Sequence, residues 1–122
     1  MNELDPEVIL EKTIYLNQDK VRDILNLIQI TNGELFYGKG LELGSGAGLF
    51  SSAISKIENV NKIYSLEIIP NFVKLLQPKI IKKYGDEKKI IPTLGSFENL
   101  DYFEDNYFDF IFEYDAFHHA ND

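Results

Sequence analysis

The spacing of apolar residues predicts helices in the first part of the chain. Between Asp19 and Ile30, apolar residues recur at intervals of three and four, which is typical of an amphipathic helix. These residues are Val21, Ile24, Leu25, Leu27 and Ile28. Asp19 is the expected N-cap, and the sequence TNG at 31–33 is the expected stop. The stretch 6–16 predicts another helix with proline in its first turn, so we expect residues 1–37 to form an N-terminal helical segment.

The rest of the chain alternates short apolar runs with helical patterns. Strands are predicted at 40–43, 62–69, 88–94 and 107–114, and helices at 49–57 and 70–84. The stretch 96–105 is expected to be a loop with one helical turn at most. This order predicts an α/β fold with a mainly parallel sheet and helices on both faces. Such sheets bind ligands at the carboxyl ends of their strands, where the strand order reverses beside the first strand.

Composition narrows the classes of partner. The chain has 122 residues, enough for one domain, with 12 basic and 20 acidic residues and a formal charge of −8. This charge repels a phosphate backbone, so no nucleic-acid partner is expected. There are no cysteines and two histidines, so no metal site is expected. The acidic N-terminus does not resemble a signal peptide, and no apolar run could span a bilayer. We expect a cytoplasmic protein without a membrane partner.

The sequence LELGSGAGLF at 41–50 carries the clearest signal for a ligand. Glycines at alternate positions between a strand and a helix allow positive φ and close approach of a ligand to the main chain. The dinucleotide fingerprint needs glycine at its sixth position, where this chain has Leu49. A phosphate-binding P-loop needs Gly-Lys-Ser/Thr where this chain has Leu-Phe-Ser at 49–51. An NAD-dependent oxidoreductase therefore ranks third, below the two hypotheses described next. An ATP-binding protein fits the sequence less well still.

The sequence ELGSGAG at 42–48 resembles the first motif of class I S-adenosylmethionine-dependent methyltransferases. The resemblance implies a Rossmann-like three-layer sandwich that binds S-adenosyl-L-methionine. In such a site, Glu42 would accept from the amino group of the donor or orient the glycine turn. The backbone of the turn would approach the methionine portion; its residues are Gly44, Ser45, Gly46 and Gly48. Glu67 matches the acid that holds both ribose hydroxyls, since a carboxylate has two acceptor oxygens, and Ile68 follows it in the expected cofactor site.

Two later stretches extend the resemblance. Ser96 lies where the family often has an aspartate near the adenine amino group; a backbone group or Glu98 is the alternative. Phe97 would lie against the adenine ring or in the core. Residues 106–122 resemble the fourth strand and the following loop of the family. There Glu113 would border the sulfonium, at a position where the family more often has a small residue.

The histidine pair His118 and His119 is the candidate for a catalytic base, because imidazole titrates near neutral pH. His119 matches the family pattern better. The alternative is that these histidines cap a helix or pack under the donor site. Tyr114 and Asp115 are further polar groups for a substrate.

The resemblance implies transfer of a methyl group to a small-molecule or protein acceptor. The alternative is a non-catalytic methyltransferase-like module that binds the donor or regulates a partner. The motif for amino-methylation of DNA bases is absent, because the region reads EYDAFHH at 113–119.

The family usually has seven strands, so residues 38–122 are expected to form a methyltransferase domain that is incomplete at its C-terminus. Such a chain would bind the donor weakly without turnover. Its fourth strand would be an uncovered edge, with Phe108, Phe110 and Phe112 on one face and Ile111 on the other. We expect this edge to favour self-association.

Overall fold

The computed structural model describes residues 6–31, 34–96, 98, 103 and 105–113. The order of its elements alternates helices and strands after a long first helix. They are α1 (Pro6–Thr31), β1 (Gly38–Leu43), α2 (Leu49–Ser55), β2 (Val60–Glu67), a π-helical turn (Phe72–Leu76), α3 (Gln77–Tyr84), β3 (Ile90–Leu94) and β4 (Phe110–Glu113). Among these described elements, no helix is both long and apolar enough to cross a membrane.

The four strands form one parallel sheet in the order β3-β2-β1-β4. In this register Leu41 of β1 lies opposite Tyr64 of β2 and Ile111 of β4. The strand order reverses at β1, which has β2 on one side and β4 on the other. The predicted α/β, Rossmann-like fold with a parallel sheet is confirmed, and the predicted strands differ from the observed ones only at their ends. Helices were expected on both faces of the sheet; the described helices cover one face, so a helical layer on the other face stays a prediction.

The N-terminal segment differs from the prediction, because it is one helix instead of two. Asp19 was expected to cap a helix, but it lies inside α1. Neither glycine nor proline occurs between Glu7 and Thr31, so nothing in the sequence interrupts the helix. Asp19 instead faces solvent one turn before Arg22, whose guanidinium lies 3.4 Å from its carboxylate.

Helix α1 contacts α2, and α2 contacts α3. The three helices cover one face of the sheet. The main core lies between that face and the helices; its buried members are Ile24, Phe36, Phe50, Ile54, Val60 and Ile63. Two residues of β4 complete this core, since the rings of Phe110 and Phe112 meet that of Phe36 edge-on at 5.4 and 6.1 Å. A fully buried apolar side chain of this core, such as Ile54, stabilises the fold by about 1.5–3 kcal/mol.

The other face of the sheet carries an aromatic cluster over β2. The ring of Tyr64 contacts Phe103, Tyr107 and Phe108, and its hydroxyl lies 2.8 Å from that of Tyr107. Phe108 was expected on the same face as Phe110 and Phe112, but it lies in this cluster, because it precedes β4 and does not follow the alternation of that strand. Beyond this cluster, Ile111 of β4 is 56% exposed. Within the described residues β4 pairs with β1 alone, so self-association through its other edge stays a prediction.

The helix after β2 contains a π-helical turn that the sequence pattern did not predict. The N–H of Gln77 bonds to the carbonyl of Phe72, five residues earlier. The next residue, Pro78, has no N–H for an ordinary bond to Lys74, and its ring would crowd that carbonyl. The wider turn relieves both problems, and α3 starts from a shifted register.

We predict that Gly40→Ala destabilises the fold through one contact. A Cβ at Gly40 would overlap the ring of Phe110 on the neighbouring strand. Overpacking of this kind costs about 1–3 kcal/mol, to be measured by urea unfolding. Phe110→Leu is the matched background, because the shorter side chain leaves room for the methyl group. An equal cost of Gly40→Ala in both backgrounds would contradict the assigned contact.

Candidate functional site

The candidate site lies at the carboxyl ends of β1 and β2, where the strand order reverses. The turn from β1 to α2 continues the sheet contacts, because the N–H of Ser45 donates to the carbonyl of Leu66 at 2.8 Å. The carboxyl end of β3 joins the same edge, where Gly95 N–H donates to the carbonyl of Glu67 at 3.0 Å. The ends of three parallel strands thus meet where ligands of such sheets bind.

The three predicted glycines form the turn itself, and all three have positive φ. The angles are 63° at Gly44, 58° at Gly46 and 86° at Gly48. A Cβ built on Gly46 would meet nothing within 4 Å, so the main chain there faces open space. Gly48 differs, because its Cβ would lie 3.2 Å from Cγ of Gln77. The turn therefore has one packed side and one side open to a ligand.

Glu67 at the end of β2 holds the glycine turn through its carboxylate. Oε1 accepts from the N–H of Gly46 at 2.8 Å, and Oε2 accepts from the N–H of Ile69 at 3.0 Å. The side chain is nearly buried, with 7% exposed. Each carboxylate oxygen can accept two hydrogen bonds, so both retain capacity for a ligand hydroxyl. Glu67 and the glycine motif, which are 19 residues apart in sequence, form one site.

Glu42 is buried in β1 beneath the turn, and its partner is Ser51 of α2. Oε1 accepts from the backbone N–H of Ser51 at 3.1 Å and from its hydroxyl at 2.6 Å. Desolvation by burial raises the pKa of Glu42 from its ordinary value of 4.5 to about 8, and the negative charge of Glu67 adds to this. The bonds from Ser51 lower the pKa but do not offset burial. These contacts fix the first turn of α2 against β1, whereas the two predicted roles of Glu42, toward the amino group of the donor or toward the glycine turn, stay predictions.

The structure describes three of the other predicted site residues. Ile68 lies beside Glu67, and its side chain is 64% exposed. Ser96 is half-buried after β3, and its hydroxyl accepts from the N–H of Glu98 at 3.1 Å. Glu113 ends β4 opposite Leu43. The remaining candidates lie outside the described residues; they are Phe97, Tyr114, Asp115, His118 and His119.

Gln77 is a site residue that the sequence interpretation missed. Its Nε2 donates to the carbonyl of Gly46 at 2.7 Å and lies 2.8 Å from the hydroxyl of Ser45. The signal was present in the sequence: Gln77, Ile80, Ile81 and Tyr84 share one face of a helix, and Gln77 is the polar residue in that apolar series. A buried amide usually has a specific hydrogen-bonding role.

Comparisons with known proteins agree with this geometry. The family described as "Methyltransferase domain" matches residues 41–122. The crystal structure of a candidate S-adenosyl-L-methionine-dependent methyltransferase from Methanococcus maripaludis superposes with a TM-score of 0.73 at 20% sequence identity. The match covers 98% of this chain and 54% of that one, so this chain spans about half the length of its structural relative. A search of curated proteins gave no match.

The fold and the glycine turn at the strand-order reversal define a Rossmann-like protein with a candidate ligand site at the ends of β1 and β2. More specifically, the chain belongs to the methyltransferase domain family, as the match over more than half of its length shows.

We predict that Glu42 makes the stability of the fold fall with rising pH. Its pKa is 4.5 when exposed and about 8 when folded, so between these values the folded state binds more protons than the unfolded state. The free energy of unfolding therefore decreases through this window, by up to about 1.4 kcal/mol per pH unit. Glu42→Gln keeps an acceptor for Ser51 but cannot titrate. Urea unfolding at pH 5, 6, 7 and 8 should show the variant gaining stability relative to wild type; parallel curves would contradict the assignment.

Proposed function

We propose that this chain binds S-adenosylmethionine and belongs to an enzyme that transfers its methyl group to a small-molecule or protein acceptor. The hydrogen bond between Gly46 N–H and Glu67 carries this proposal. It joins the two sequence elements that the resemblance assigns to the methionine and ribose portions of the donor. When bound, the donor supplies a methyl group on a positively charged sulfur, so the protein mainly has to bind, orient and exclude water.

The residues present fit such a donor. Open space over Gly46 would admit the donor close to the main chain of the turn. Glu67 would accept from the ribose hydroxyls with its remaining lone pairs. Exposed apolar side chains would cover the adenosine portion, namely Ile68 beside Glu67 and Leu94 at the end of β3. Ser96 would be the polar group nearest the adenine amino group.

The acceptor side of the reaction would be formed at the carboxyl end of β4. Glu113 ends β4 at the same edge of the sheet and would border the sulfonium. His119, or its neighbour His118, would remove a proton from the attacking oxygen or nitrogen. A donor-binding module without turnover uses the same donor site, so binding alone does not separate the two functions.

We expect the chain to bind S-adenosylhomocysteine and S-adenosylmethionine but not NAD, as measured by calorimetric titration.

Glu67→Ala should weaken binding by roughly 1–3 kcal/mol, because it leaves the ribose hydroxyls unpaired and releases Gly46 N–H. Glu58→Ala removes an exposed acid of the same charge before β2 and serves as the control. Unchanged affinity of Glu67→Ala would reject the assigned role, and tight NAD binding without a response to S-adenosylhomocysteine would reject the proposed function. A methyl-transfer assay against small molecules and peptides then separates an enzyme from a binding module.

Gly46→Val tests the position of the donor on the turn. A Cβ there fits sterically in the free protein, although positive φ strains a non-glycine residue by about 1–2 kcal/mol. We expect a folded protein, checked by circular dichroism, whose affinity for S-adenosylhomocysteine is lost. Gly46→Ala should show a smaller loss. A folded valine variant with normal affinity would show that the donor lies elsewhere.

A further inference from the structure

Gln77 is placed inside the protein at a position that an apolar side chain would normally occupy. It is fully buried, and so is Ile80 one turn later. Burying an amide costs free energy unless its polar atoms are paired. Among the described residues its Oε1 has no hydrogen-bond partner, while Nε2 has two. The amide nitrogen of Gln77 thus bonds to the glycine turn, while its amide oxygen has no partner among the described residues.

The two contacts of Gln77 complement those of Glu67. Glu67 from β2 takes the N–H of Gly46, and Gln77 from α3 holds the carbonyl of the same residue. Only Nε2 can serve the carbonyl, because both Oε1 and the carbonyl are acceptors. The stem of Gln77 also lies against the packed side of Gly48. Both polar groups of Gly46 are therefore fixed by side chains from outside the turn.

The π-helical turn directly before Gln77 places it there. It adds a residue to the turn between Phe72 and Gln77, which changes the face that the following residues present. π-helical turns inside α-helices occur frequently at functional sites. The inward face of α3 consequently starts with Gln77 and continues with Ile80 and Ile81.

We propose that Gln77 is a positioning residue for the donor, holding the Gly46 peptide and Ser45 in the orientation that binding requires. The proposal rests on the proposed function, because it assigns Gln77 to the same site. It acts through the turn: with Gln77 in place, the turn is ordered before the donor arrives, and binding does not have to supply that order.

Gln77→Met is the decisive variant, because methionine fills a similar volume and lacks the amide. Affinity for S-adenosylhomocysteine should fall about tenfold, the scale of one or two lost hydrogen bonds. Amide exchange at Gly46 and Gly48, followed by NMR without ligand, should accelerate by a similar factor while strand amides of β2 keep their rates. Ser55→Ala is the matched control: Ser55 is also fully buried with two hydrogen bonds, to Ser52 and Asp86, away from the turn.

The outcomes separate a positioning role from general stabilisation. Equal losses of thermal stability in the two variants, with weaker binding and faster turn exchange in Gln77→Met alone, would support the proposal. Unchanged affinity and unchanged turn exchange in Gln77→Met would overturn it. If wild type does not bind S-adenosylhomocysteine, the proposed function fails and the donor role of Gln77 fails with it, while exchange still reports whether Gln77 orders the turn. Gln77→Leu, shorter and branched, replaces the methionine variant should that chain not fold.

Discussion

The two peptide groups on either side of Gly46 are the constraint on which the rest of the site depends. Three positive φ angles between β1 and α2 give a turn that no regular secondary structure stabilises. Its central N–H is bonded to Glu67 and its central carbonyl to Gln77, at 2.8 and 2.7 Å. Because these side chains come from β2 and α3, the turn takes its shape only when three elements have packed. The main chain of the turn at Gly46 is open to a ligand on one side.

A second feature is a group of polar side chains that are buried between the sheet and its helices. Glu42, Ser51, Ser52, Ser55, Ser65 and Gln77 are all buried. Most are paired locally: the hydroxyl of Ser52 donates to the carbonyl of Gly48 at 2.7 Å. Glu42 is the costly member, since its burial outweighs the two bonds from Ser51 and raises its pKa to about 8. Strongly shifted pKa values cluster at functional sites, which agrees with the position of Glu42 beneath the candidate site.

The sequence predicted those features that follow from local patterns. The order of strands and helices from β1 onward, the glycine turn, and the position of Glu67 at a strand end are all confirmed, because period and turn chemistry are local signals. Features set by packing were missed. The N-terminal segment is one helix because the helix-forming residues continue without a break on both sides of Asp19. Asp19 was predicted to be an N-cap because aspartate often begins a helix. The partner of Gln77 lies 31 residues away in sequence, and no periodicity predicts such a pair. The roles of His118 and His119 stay predictions.

The contacts that hold the glycine turn come from one continuous part of the chain. Among the described residues, the hydrogen bonds that shape the turn join residues between Glu42 in β1 and Gln77 at the start of α3. β4 contributes to the core through Phe110 and Phe112, and to the site through the position of Glu113. The order of the turn therefore depends on the packing of β1, β2 and α3. Under the proposed function, the adenosine contacts would also need β3, and methyl transfer would need an acceptor held in line beyond β4.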